Sequence, residues 1–262
     1  MKNKYRRHPV IVKVLGSVGG FCPRSPLNGA GDQGRIFPTP LRPARRRRTH
    51  RRPRHRLRRG RAAPDHGRAH GPRTADSVAL TFHGQGDPAI AHALLKEAER
   101  AHAHITVLAV GTWLDEHPDI ARRILDGGHD LGNHTLHHRD INAMSESDAY
   151  AEITGCADRI RRLTGSIGTW FRPSRTPTAT PLVTRLARRA GYPHVLSYDV
   201  DSLDFTSPGA DTVVDNVTSA LRPGSVVSLH FGYTDTVAAL PPLLDHLDRR
   251  GLSAVTCTEL LT

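Results

Sequence analysis

Cysteine is scarce in this 262-residue chain, acidic residues are nearly missing from its first 76 positions, and no long apolar run occurs anywhere. The three cysteines, Cys22, Cys156 and Cys257, form no CxxC pair, and an odd number argues against a disulfide framework. Cys156 and Cys257 are expected as small buried hydrophobes. No segment reaches the roughly 18–20 apolar residues of a membrane span, so no transmembrane anchor is expected. No GxGxxG opens a helix, which leaves a dinucleotide site without support.

The lack of acid is local. Residues 1–76 hold 21 Lys and Arg against 3 Asp and Glu, a net of +18, whereas 77–262 is net −6. The sequence pI near 10.5 therefore describes the N-terminal segment, not the remainder. Residues 45–61 read RRRRTHRRPRHRLRRGR, too charged and too rich in Pro and Gly to bury a core. Residues 1–76 are expected to be a disordered Arg/Pro-rich segment preceding one folded domain over 77–262. The segment reads as a solvated tail, an arm for an anionic surface, or out-of-frame translation from a mis-assigned start. Arg6 and Arg7 before 10–21 give a weak export-leader pattern, interrupted by Lys13.

From Ser77 short apolar runs alternate with stretches of helical length. The patterning predicts strands at 78–82, 105–110, 130–133, 170–172, 195–198, 225–229 and 253–256. Helices are predicted at 88–101, 112–126, 145–163, 180–190, 211–220 and 236–250. Such alternation specifies a parallel sheet with helices outside it, either nearly closed into a barrel or open and doubly wound.

Polar residues gather at the carboxyl ends of these strands. His83 follows the first, His134 the third, and Arg172 ends the fourth. Asp199, Asp201 and Asp204 follow the fifth, and His230 the sixth. In parallel α/β folds these ends converge on one functional rim. Within Asn133-His134-Thr135-Leu136-His137-His138, one helical turn would put His134 and His138 on the same side, able to share a metal ion, with His137 pointing elsewhere.

These residues resemble the NodB-homology polysaccharide deacetylases, carbohydrate esterase family 4, over about 78–262. The stretch GHDLGNHTLHH (128–138) is similar to the family's motif with two metal-binding histidines, carried here by His134 and His138. WFRPSRT (170–176) resembles the motif whose arginine, Arg172, orients the catalytic base. SYDVDSLDF (197–205) supplies the aspartate Asp204, with Phe205 in place of the usual Trp on the substrate side. PGSVVSLHF (223–231) supplies the catalytic His230, with Leu229 as the apolar wall beside the acetyl methyl and Phe231 where Asp is frequent. The first motif departs from the family's Thr-Phe-Asp-Asp-Gly. Here Thr81-Phe82-His83-Gly84 stands, with His83 at the base position and Gly84 at the metal-ligand position.

The resemblance implies a distorted (β/α) barrel of about seven strands and a divalent metal, zinc being expected. It implies a hydrolase removing acetyl groups from an N- or O-acetylated polysaccharide or oligosaccharide of cell-wall or chitin type. A third metal ligand would come from His83 or from Asp87, while His83 could instead be the base. His230 would be the general acid, held by Asp204 or alternatively by Asp201. A secreted or envelope location and a monomer are expected, with nucleic acid not expected as a partner. Two other readings stay open: a carbohydrate-binding pseudoenzyme on the same fold, and a nucleic-acid-associated protein acting through the basic arm.

Overall fold

The computed structural model describes residues 67–262. The arginine-rich run, the leader-like stretch and Cys22 lie outside those residues. Among the described residues eight strands pair, all in parallel. Those of the central path are β1 (Ser77–Gly84), β2 (Thr106–Ala109), β3 (Asp130–Asn133), β4 (Trp170–Phe171), β5 (His194–Val195), β6 (Val200–Asp201) and β7 (Val226–His230). Their order across the sheet is β5-β4-β3-β2-β1-β7-β6. A short β8 (Ser253–Val255) pairs with the entry of β1, on the edge that β2 takes up further along. The sheet curls with helices packed outside it, and its two end strands do not pair with each other. It is the distorted barrel rather than the doubly wound alternative.

Strand alternation divides the buried residues into two layers. Val78, Leu80 and Phe82 of β1, Val107 of β2, and Val227 and Leu229 of β7 face outward, into the main core. That core is completed by α1 (Pro88–Arg100), α2 (Gly111–Glu116), α3 (Pro118–Asp126), α6 (Ala210–Ala220) and α7 (Thr234–Arg249). Two further helices, α4 (Glu146–Thr164) and α5 (Pro181–Arg189), enclose a second cluster around Phe171 and Tyr192. The opposite face fills the barrel's lower interior with Ala79, Leu108, Trp170, Leu196 and Val226. Plugging that end is α8 (Cys257–Leu261), through Cys257, Leu260 and Leu261.

The structure departs from the expected elements at four places. The helix expected over 112–126 breaks at His117, because Pro118 has no N–H to continue it and its ring excludes the preceding turn. The strand expected at 195–198 is instead β5 and β6, separated by a bend. The plug helix α8 was not anticipated, although Thr256 and Glu259 form a capping box legible as Thr-x-x-Glu. The domain boundary placed at Ser77 is also too late. Arg68 exchanges backbone hydrogen bonds with Val195 and Ser197, and Gly71 donates to Gly224. Residues 67–71 thus span the gap between β5 and the start of β7 at the barrel's lower end. Arg73 fastens the same strap to Asp199 at 2.6 Å. Both Cys156 and Cys257 are buried, and burial pushes each thiol up to about 12.

His129, entering β3, is buried and held neutral. The Ile105 N–H donates to its Nδ1 at 3.2 Å, so the ring proton sits on Nε2, which has no hydrogen-bond partner. Burial lowers its pKa from 6.5 to about 4, opposed by Glu99 and reinforced by His104 and Arg123. Between those values the unfolded chain binds more protons than the folded one. The stability contributed by neutral His129 is therefore complete above about pH 6.5 and is lost as pH falls toward 4. We expect the urea midpoint to fall between pH 7 and pH 5, and to fall less steeply in His129→Gln. Equal slopes in the two proteins would remove His129 from this account.

Candidate functional site

The rim of the sheet carries the site, and the pairing of β1 with β7 builds its centre. In that register Thr81 lies beside Ser228 and His83 beside His230. All four side chains point inward by the two-residue repeat. His83 and His230 consequently stack, with ring centroids 4.2 Å apart.

His134 leaves the end of β3 next to them. Its Nδ1 lies 3.0 Å from the Arg172 carbonyl oxygen, and its Nε2 lies 2.8 Å from His83 Nδ1. His138 joins the group by a different route from the helical turn expected at sequence level. The segment after β3 is a loop, with Thr135 at φ 70° and His138 at φ 54°. Several contacts hold that left-handed path. The Thr135 N–H donates to the Asn133 side-chain oxygen at 2.8 Å, and the Thr135 hydroxyl to Ser174 at 2.9 Å. The first N–H groups of α2 reach the carbonyls of Thr135 and Leu136. Within the same loop, His137 pairs with Glu152 at 2.7 Å and lines the cavity without belonging to the histidine cluster.

The ligand-capable atoms of His83, His134 and His138 all lie within 4.8 Å of one another. Burial, then the neighbouring histidines, keeps His83 well below its ordinary pKa, and burial followed by His138 does the same to His134. Burial, Arg175 and His230 take His138 down to about 4. All three rings are therefore neutral at neutral pH, with nitrogen lone pairs available. Three imidazoles suit zinc or a similar borderline cation.

Asp87 does not join them. Its carboxylate accepts the Ala89 N–H at 2.8 Å and caps α1. Gly84 is pressed against β2, where an added Cβ would stand 2.9 Å from Val107 Cγ1. A side chain at position 84 would require Val107 and Ala109 of β2 to give way.

Beside the triad, Asp204 is fully buried and fixes His230 at two points. Its Oδ1 lies 2.7 Å from His230 Nδ1, and its Oδ2 accepts the His230 N–H at 2.7 Å. Thr236 donates to the same oxygen at 2.7 Å. A carboxylate only accepts, so Nδ1 carries the ring proton and Nε2 is left for exchange with a substrate. Asp201 lies in the pocket wall and accepts the Leu203 N–H rather than holding His230. Asp199 is away from the rim, at the entry of β7, where it accepts the Val226 N–H.

Arg172 is fully buried with no carboxylate in hydrogen-bond contact. Its Nη1 lies 3.4 Å from His83 Nε2, its Nη2 donates to the Ser197 carbonyl at 3.2 Å, and its Nε has no partner. Burial lowers its pKa to about 10, which leaves it a cation at neutral pH.

Of these groups His83, His138, His230 and Asp201 line a cavity of about 710 Å³, whereas His134, Arg172 and Asp204 are fully buried. Phe205 stands at its mouth, 45 % exposed, beside Leu203. Leu229 is not in its wall. Strand alternation turns Leu229 into the outer core, and Ser228 takes the inward place beside His83. Tyr198, Tyr233 and Arg175 also line the cavity. Of the contributors that sequence reasoning passed over, Ser228 was legible, because it shares a strand face with His230 two residues on.

Replacing Asp204 leaves buried donors on His230 and Thr236 unpaired. Asp204→Ala is expected to lose about 2–4 kcal/mol of stability in urea denaturation. Asp204→Asn, which keeps an acceptor, should lose less. A neutral Asp204→Ala would contradict this geometry.

Known proteins resemble this one over the region that contains the site. The family described as Polysaccharide deacetylase matches residues 70–195. A chitooligosaccharide deacetylase of Bradyrhizobium is 31 % identical over 191 residues, covering 67 % of this chain and 86 % of that protein. A peptidoglycan-N-acetylglucosamine deacetylase of Bacillus cereus is 29 % identical over 194 residues, covering 72 % and 90 %. A solved structure of a family 4 carbohydrate esterase pseudoenzyme from Bacillus anthracis shares the fold with a TM-score of 0.70. It is 22 % identical, with coverage of 74 % of this chain and 68 % of that one.

Proposed function

The chain belongs to the polysaccharide deacetylase family, whose relatives are hydrolases of acetylated glycans, and from that premise we propose a metal-dependent deacetylase with a rewired first motif. One observation carries the reading: a neutral His83–His134–His138 triad opens, through His83 and His138, onto a cavity that a carboxylate-oriented His230 also lines. The substrate class is an N- or O-acetylated polysaccharide or oligosaccharide of cell-wall or chitin type, met in the envelope or outside it. Among the described residues no helix is long and apolar enough to cross a membrane.

In this reading His83, His134 and His138 hold a divalent cation, zinc by the chemistry of three imidazoles. When bound, such an ion polarises an acetyl carbonyl and acidifies a water. His83 is assigned here as a ligand rather than the base, because its Nδ1 turns into the triad, 2.8 Å from His134 Nε2, while its Nε2 faces Arg172 and Ser228. Proton transfer then falls to His230. Its Nε2 first takes a proton from the attacking water and later returns one to the leaving amine or alkoxide, while Asp204 stabilises the imidazolium. Arg172 keeps His83 in place and lends positive charge behind the triad. Phe205 and Leu203 offer an apolar lip for a sugar ring.

The test is zinc content of the full-length protein together with acetate release from N-acetylglucosamine oligomers and acetylxylan. We expect about one zinc per chain. His134→Ala/His138→Ala should lose both metal and turnover. His230→Ala should keep the metal and lower kcat by roughly 10²–10⁴-fold. The replacement of the first-motif carboxylates by His83 and Gly84 favours a second reading, a glycan-binding pseudoenzyme. Zinc and glycan binding with no acetate release from any acetylated sugar would select it. Absence of zinc after reconstitution would overturn the metal-dependent reading.

A further inference from the structure

The geometry points to Ser228 as the residue that sets His83 in the tautomer able to ligate a metal, an inference that rests on the triad being a metal site.

The proton positions follow from the fixed partners. The Arg172 carbonyl facing His134 Nδ1 can only accept, so His134 carries its proton on Nδ1 and presents a lone pair on Nε2. His83 Nδ1 lies 2.8 Å from that lone pair and therefore donates to it. In this arrangement the His83 lone pair is on Nε2, facing Arg172 Nη1 at 3.4 Å and Ser228 Oγ at 3.2 Å.

A cation shared with His134 Nε2 needs the lone pair of His83 on Nδ1 instead. The ring proton must then leave Nδ1 and a proton must sit on Nε2, with no net change in charge. Of the two groups facing Nε2, Arg172 is a donor only and opposes that proton. The Ser228 hydroxyl can turn from donor to acceptor and receive it. Ser228 is 1 % exposed and lines the cavity beside His83. Its backbone is pinned by pairing with Thr81 of β1 and Asp201 of β6, so the oxygen stays within reach. Orientation of a ligating imidazole by the partner of its other nitrogen is the general pattern around protein metals. Here that partner must also outcompete a buried guanidinium.

The experiment is zinc affinity of the full-length protein, measured by competition with a chromophoric chelator. It compares wild type, Ser228→Ala, His83→Ala and the double variant, with melting in excess chelator confirming that each is folded. Ser228→Ala is expected to bind zinc roughly 10–100-fold more weakly than wild type. In His83→Ala the serine has nothing left to orient, so the double variant should bind no more weakly than His83→Ala alone. Cobalt-substituted Ser228→Ala should show a d–d spectrum altered in the same direction as that of His83→Ala. Unchanged zinc affinity in Ser228→Ala, or losses that add in the double variant, would overturn the role of Ser228 while leaving the triad intact. Failure of the wild type itself to bind zinc would overturn the metal site on which the inference rests.

Discussion

The pairing of β1 with β7 in one register governs everything at this site. It puts His83 directly beside His230 and Ser228 two residues below, all on the inner face. The outward residues of the same strands, Phe82 and Leu229, are buried in the main core. A slip of one residue would exchange those sets, driving Phe82 into the pocket and the histidine into the helices. The hydrophobic core thus fixes the position of the catalytic candidates more firmly than any contact among the candidates themselves.

A second consequence is a concentration of positive-capable groups without acidic partners. His83, His134, His138 and Arg172 meet in one enclosed corner, while the nearby Asp204 is committed to His230 and Thr236. Burial resolves the conflict by keeping the imidazoles neutral, which is also the state in which they can donate lone pairs to a metal. Arg172 alone keeps its charge. The resemblance gives Arg172 the role of orienting a carboxylate base, whereas the group in front of it here is the imidazole of His83. A base that becomes a ligand, with His230 serving as the single proton carrier, is the simplest arrangement consistent with both changes.

Much of the fold was legible because the apolar periodicity and the caps agreed with the final elements. Most residues expected at strand ends were brought to one rim as parallel topology requires, Asp199 excepted. Most of the misses depended on non-helical or cross-strand detail. His134 and His138 meet through left-handed backbone at Thr135 and His138, held by Ser174 and the start of α2, which no local pattern announces. Asp87 was drawn to a nearby cap instead of the metal corner. Leu229 was placed in the pocket by motif likeness, although strand alternation already turned it away. The strap at 67–71 pairs with residues more than a hundred positions distant, beyond the reach of composition.

The central claim is that His83 is a metal ligand rather than the base. Zinc-edge anomalous diffraction from crystals of the zinc-loaded protein tests it most directly. The account predicts one anomalous peak bonded to nitrogens of His83, His134 and His138 at about 2.0–2.1 Å. A peak held by His134 and His138 with the His83 ring turned toward solvent or substrate would contradict it and return His83 to the role of base.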